Sequence, residues 1–512
     1  MKILKYALLS LLVLAFASCS VDYFENPNEP TIPTTGGLMN QVQQQFMTDT
    51  RGEWVSGRQY LLWMQYWNQR NYTEEDRFQY RESACNLGAW NDIYVNAQDL
   101  KSIIDLNTDP ETASQMAVTA PNENQISAAR IMLVYVYLNA VELWGNVPYY
   151  SYGSDNNTFQ ANQVTEGYDY VAYADQKDIY VDMLETLKDA ADNIDESSLM
   201  IDGDNFYGGN ATQWKRFANS LRLRIANRIK DVYPAATDHI TDAIASGVFE
   251  SNADNAGVTF EDNATNGAPW FQAYQDRQDF APSISFVELL QGKRGNYATI
   301  DPRLAIFVDD NEDGFKVGIP LMSNNGDVGT FRFESNPGSV ILQADFTETY
   351  MEYAEVCFLM SEINGWDQTW YEKGVRASME KWGVDESDIE TYIAGLPAAN
   401  EENVLTQKYI ALYMQPLEAW SEYRRTGYPN HLIKPHETYD YSWQFKDESG
   451  TVIDTTATYT FTPIESKATF TDLPARNAYP TNEVGVNKNN YLAAQQAMGE
   501  DLQTTKLWWA KK

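Results

Sequence analysis

Apolar residues recur along much of the chain at steps of three and four, the spacing that places them on one face of an α-helix. In 178–194, "DIYVDMLETLKDAADNI", Tyr180, Met183, Leu184, Leu187, Ala190 and Ala191 form one such stripe. In 210–230, Asn210 is a good N-cap, and Trp214, Phe217, Leu221, Ile225 and Ile229 follow it on one side. The segment "ISAARIMLVYVYLNAVELWG", 126–145, is apolar nearly all round, as expected of a helix enclosed by others. Segments 349–365, 370–383 and 403–427 complete the helical set, with Pro416 expected to break or kink the last. Helix pairs with short breaks predict solenoid-like hairpin packing, without a clean repeat period. Strand signals are sparse. The best is 440–463, where Tyr441, Trp443 and Phe445 alternate with polar residues before a polar turn and a Thr-rich run. It reads as a hairpin.

The first residues follow a different rule. Lys2 and Lys5 precede about eleven apolar residues, the charged and greasy parts of an export signal that is too short to span a bilayer. Ala17 and Ser18 then lead into Cys19, which resembles the bacterial lipoprotein cleavage box. The resemblance implies removal of residues 1–18 and lipid on Cys19. The simpler alternative is an ordinary signal cut near Ser18. Proline and polar residues dominate 20–36, so 19–39 is expected to be a flexible tether that reaches on the order of 50 Å. Residues 40–512 are expected to form a single domain, with the hairpin as a surface insertion.

A formal charge of −35 makes nucleic acid a poor partner, because such a surface repels phosphate backbones. Only three histidines are present, His239, His431 and His436, which leaves little for zinc or histidine-based catalysis. No cofactor is expected. Cys85 and Cys357 sit in helix-like segments and are expected to be buried free thiols, with a disulfide between them as the alternative. "DDNEDG", 309–314, opens like a calcium loop, but its twelfth position is Pro320 where a bidentate glutamate is required. A polar turn is the expectation. The 14 Trp, 33 Tyr and 21 Phe supply core, and also rings suited to stacking on sugars or peptides.

Several motifs occur in an order that resembles the SusD/RagB family of nutrient-binding outer-membrane lipoproteins. They are "VELWGNVPYY", "WKRFANSLRLRIANRI", "DPRLAIF", "YAEVCFLMSE", "YEKGVRASMEKWG", "LTQKYIALYMQPLEAWSEYRRTGYPN" and "ARNAYPTNEVGVNKNNY", closing on "TTKLWW". Departures are Ser361 before Glu362, where alanine is usual, and a longer 435–472 region. The resemblance implies an all-α body of four tetratricopeptide-like helix pairs, forming an α-α superhelix with loops and a few short strands on one face. It also implies that the protein captures oligosaccharide or peptide and sits as a hinged lid on a TonB-dependent transporter of the SusC type. Binding without chemistry is the function expected. The rivals are an extracellular glycoside hydrolase and a purely structural surface lipoprotein. Arg222, Arg224, Arg228, Arg424 and Arg425 read as scaffold, tying helices to carboxylates, and Trp508 and Trp509 as packing the C-terminus onto the body.

Two segments carry rings and polar groups with a possible ligand role. One is Trp63, Tyr66, Trp67 and Tyr72; the other is Trp270, Tyr274, Asp276, Arg277 and Asp279. Rings at 63, 66 and 67 also fit a buried helical stripe. Trp270 is the expected stacking platform. Replacing Cys19 with Ala should release the protein from membranes, as read by fractionation; unaltered membrane retention would rule out lipid attachment there.

Overall fold

The computed structural model describes residues 32–511, apart from 80, 164–166, 168–169, 322–330 and 467. Cys19, the export signal and most of the expected tether lie outside the described residues. The body starts at Thr35, five residues inside the segment expected to be tether. Thr35 Oγ1 donates to Gln125 Oε1 at 2.5 Å, and a Cβ on Gly36 would meet the Asp202 carbonyl oxygen at 2.8 Å. Those contacts fix a first turn that two glycines would otherwise leave loose.

The main helices in chain order are α1 (Thr35–Arg51), α2 (Gly88–Thr108), α3 (Asn122–Trp144), α4 (Gln176–Asp192), α5 (Ala211–Ile229) and α6 (Ala236–Ser246). They continue as α7 (Pro269–Asp276), α8 (Tyr353–Ile363), α9 (Gln368–Lys381), α10 (Glu401–Ala411), α11 (Pro416–Thr426) and α12 (Lys488–Met498). Neighbours in sequence pack in space: α2 on α3, α3 on α4, α4 on α5, α5 on α6, then α8 on α9 with α10 against both. This is the paired-helix, tetratricopeptide-like body that the stripes and motifs imply. Asn210 caps α5 by accepting from the Gln213 amide. Pro416 does break the last helix. It stands in the first turn of α11, where its missing N–H leaves no bond unmade.

α3 is long and apolar enough to cross a membrane by composition, yet 89% of that window is buried within the body. It is a core helix. The scaffold arginines behave as the sequence suggests. Arg224 of α5 forks onto Glu355 of α8 at 2.8 and 2.5 Å, and Arg228 reaches Glu418 of α11 at 2.5 Å and lies 3.6 Å from Glu142 of α3. Arg425 forks onto Glu362 at 2.8 and 2.7 Å. Burial alone would raise the Glu362 carboxyl, but Arg425 and Lys230 together pull it down to about 2. Trp509 is buried, donates to the Tyr180 hydroxyl at 2.8 Å and lies under Arg228 and Arg424. Trp508 is partly buried and tilted against Tyr180.

Strands occur as three two-stranded ribbons: β1 (Trp67–Gln69) with β3 (Phe280–Pro282), β2 (Ala256–Thr259) with β4 (Thr347–Met351), and β5 (Thr438–Lys446) with β6 (Val452–Thr460). The third is the anticipated hairpin, and it is less superficial than expected. Tyr439 and Tyr441 are buried and donate to the carbonyls of Leu321 and Gly318, while Trp443 and Phe445 pack on Phe333. Its second strand has no buried residue. Cys85 and Cys357 are buried free thiols, each pushed up to about 12 by burial. Asn311 Oδ1 accepts from the amides of Asp313 and Phe315, making "DDNEDG" a polar turn. Among the described residues no cluster of three or more His, Cys, Asp or Glu is arranged to hold a metal.

One carboxyl is out of keeping with the core around it. Glu348 of β4 is 1% exposed and neither of its oxygens has a hydrogen-bond partner. Burial raises it to about 7, against a weaker opposing pull from Arg51 and Lys381. Between roughly pH 4.5 and 7 the unfolded chain therefore releases a proton that the folded chain keeps, so stability falls as pH rises through that window. Glu348→Gln should remove this fall and make the protein more stable at neutral pH by about 2–3 kcal/mol. Denaturant melts at pH 5 and pH 8 would test it; parallel pH dependence in wild type and variant would refute the assignment.

Candidate functional site

The β1/β3 ribbon brings the two ring-bearing segments together. Trp67 pairs with Pro282, Asn68 with Ala281 and Gln69 with Phe280, and the Arg70 amide then donates to the Asp279 carbonyl at 2.7 Å. Residues 70–72 thus lie beside 276–279, two hundred positions away in sequence. Asp279 is 3% exposed and is the hub. Its carboxylate takes Arg277 Nη2 at 2.9 Å and a weak amide contact from Asn71 at 3.4 Å, with Arg58 Nη2 3.7 Å away. Arg58 also lies 3.6 Å from Glu75. Arg70 anchors the neighbouring loop through Glu334 at 3.0 Å, the Ser335 carbonyl at 3.0 Å and Asn336 at 2.8 Å.

Two exposed rings flank this network. The Arg277 guanidinium lies 5.2 Å from the centre of the Tyr72 ring, and Arg58 lies 4.7 Å from that of Trp54. Tyr72 is 50% exposed and Trp54 46% exposed. Tyr72 also has φ of 59°, left-handed backbone that a bulky side chain adopts only when its surroundings impose it. The arrangement is a polar platform fixed from below, with a ring presented at each side. Apolar ring faces suit the C–H face of a sugar, and the guanidinium and amide groups between them suit hydroxyls.

Other expected contacts belong to the interior. Trp63, Tyr66, Trp67 and Trp270 are each at most 1% exposed, so none offers a face to a ligand. Tyr66 stacks on Tyr409 with centroids 4.4 Å apart and donates to the Tyr409 carbonyl. Trp270, the expected platform, packs edge-on against Trp67 at 4.5 Å and Phe280 at 5.4 Å. A Cβ on Gly57 would meet its ring at 2.7 Å, so the loop bearing Trp54 rests directly on it. Tyr274 is partly buried and donates to the Phe280 carbonyl, bracing the turn after α7. Asp276 is exposed at the end of that helix. Trp54 and Arg58 escaped the sequence reading. The one available signal is a tryptophan between two glycines in "RGEWVSG", directly after a helix.

The chain belongs to a SusD-like family described as "Starch-binding associating with outer membrane", whose profile matches residues 27–442. Among solved structures, a chitin-binding protein is similar at 23% identity and a TM-score of 0.73, over 94% of this chain and 100% of that one. A SusD homolog from Parabacteroides distasonis is similar at 21% identity and 0.73, over 94% and 98%. A chitin-binding SusD homolog from Flavobacterium johnsoniae is similar at 20% and 0.68, over 93% and 98%. At these identities the likeness establishes the fold. A sequence search of curated proteins finds no match.

Trp270 should behave as a core residue. Trp270→Ala is expected to lower unfolding free energy by about 3–5 kcal/mol, the usual loss for a fully buried ring. Chemical denaturation would measure it, and a loss below about 1 kcal/mol would return the ring to the surface.

Proposed function

We propose that this protein is a cell-surface glycan-binding lipoprotein, anchored to the outer membrane through lipid on Cys19 and facing outward. It captures oligosaccharide on the Trp54–Tyr72 face and passes it to a TonB-dependent transporter of the SusC type, which it covers as a lid. The observation that carries the reading is the pair of exposed rings held on either side of the buried Asp279 hub. The family's description as starch-binding and associating with the outer membrane supports it, as do two similar structures described as chitin-binding. Peptide could use the same groups; those descriptions favour sugar. The role is binding without turnover, and the domain is the body from Thr35 onward with the hairpin as a local addition.

Trp54→Ala and Tyr72→Ala remove exposed rings and leave the core untouched. Each should weaken binding of an oligosaccharide identified on a glycan array by about 1–3 kcal/mol, with no change in melting temperature. Unchanged affinity in both variants would displace the site. Detergent pull-down should bring down a transporter, and its repeated absence would remove the delivery role. Shortening of the glycan during incubation would replace binding with hydrolysis.

A further inference from the structure

A second concave site lies on the β2/β4 ribbon, and nothing in the reading above uses it. The cleft has a volume of about 510 Å³ and is lined by residues from the ribbon, the 205–206 loop, the 340–346 segment and the end of α9. Gly257 pairs with Thr349 and Thr259 with Thr347, and all four line it, so its floor is one face of the ribbon. Glu348 and Tyr350 lie on the opposite, core-facing side. Gly257 keeps the floor open, because a Cβ there would meet Thr347 Cγ2 at 3.0 Å.

The lining has two kinds of chemistry. Phe346 and Trp382 form a stacked pair, with centroids 6.2 Å apart and planes 26° from parallel. Around them stand amide and hydroxyl groups from Asn205, Asn255, Gln343, Thr259 and Thr347. The Trp382 indole N–H is buried without an acceptor. Lys381 lies 5.1 Å from the Trp382 ring centre, and its ammonium is already paired with the fully buried Glu352. Asp345 is exposed among the lining residues. The cleft therefore carries no free positive charge, which disfavours anions.

We infer that this cleft is a second carbohydrate-binding site, selective for one or two rings of a neutral sugar. Rings supply the stacking surface, and amides and hydroxyls meet the hydroxyl edge. The site is separate from the Trp54–Tyr72 face. None of Trp54, Arg58, Tyr72, Arg277 and Asp279 lines the cleft. The inference goes beyond the first reading and needs neither the exposed rings nor a transporter.

The test uses full-length, detergent-solubilised protein carrying Trp54→Ala and Tyr72→Ala, so that only the cleft can respond. Maltose, cellobiose and diacetylchitobiose are the probes, with digalacturonate as the acidic control, read by saturation-transfer NMR and calorimetry. At least one neutral disaccharide should bind and digalacturonate should not. Adding Thr347→Trp, or independently Gln343→Trp at the exposed edge of the cleft, should weaken that binding by roughly tenfold or more. The inference is overturned if no neutral disaccharide binds at millimolar concentration, if both blocking variants leave affinity unchanged, or if digalacturonate binds better. Failure here leaves the exposed-ring site standing, since that site is judged in the protein with an intact cleft.

Discussion

Arg224 and Arg228 of α5, with Arg424 and Arg425 of α11, are buried together with Glu142, Glu355, Glu418 and Glu422, and the partly buried Glu362 joins them. Few of these charges could stand alone in an apolar interior, since an unpaired buried ion costs several kcal/mol. Their mutual contacts form only when α3, α5, α8 and α11 take one arrangement. Removing a single partner from such a set typically costs about 3–5 kcal/mol, because the group left behind stays buried. Lys408 of α10 joins at 3.0 Å from Glu422, and Arg424 donates to the carbonyls of Glu142 and Ala475. Both long-range partners of the sequence, its N-terminal helix pairs and its C-terminal segment, meet at this cluster.

That constraint explains why much of the fold is legible in the sequence. A helix that carries Trp214, Phe217 and Leu221 along one side, and arginines at 222, 224 and 228, can satisfy both only between carboxylate-bearing neighbours. The stripes on α4 and α5, the break at Pro416 and the all-round apolar α3 follow from local rules. The start of α1 does not. Gly36 and Gly37 argue for a loose chain, and contacts with residues far along the sequence, Gln125 and Asp202 among them, hold the turn.

The proposed binding face is half legible for a related reason. Composition drew attention to 63–72 and 270–279, and the two segments do meet. Period alone could not say that Trp67 and Trp270 would face each other, because that follows from pairing of β1 with β3. Burial of Trp270 in turn lifts the loop of Trp54, so the ring that reaches solvent is one with no periodic neighbours to announce it. Arg277 and Asp279 lie in the proposed face as the frame beside Tyr72. An irregular loop takes its shape from what it rests on.

α3 has a consequence of its own. Twenty-three residues of mostly apolar helix are silent while α2, α4 and α5 enclose them. An unfolded or newly made chain presents that stretch bare. Beside a lipid bilayer it would compete between two solvents, hydrocarbon and the rest of the protein, with a hydropathy that suits either. Arg130 and Glu142, set twelve positions apart on the helix, are the residues that tilt the choice, because a bilayer centre penalises each while the folded body provides Asp189 and Arg228 as counter-charges. Glu142, which helps to hold the folded architecture, thus also makes hydrocarbon the poorer solvent for this helix.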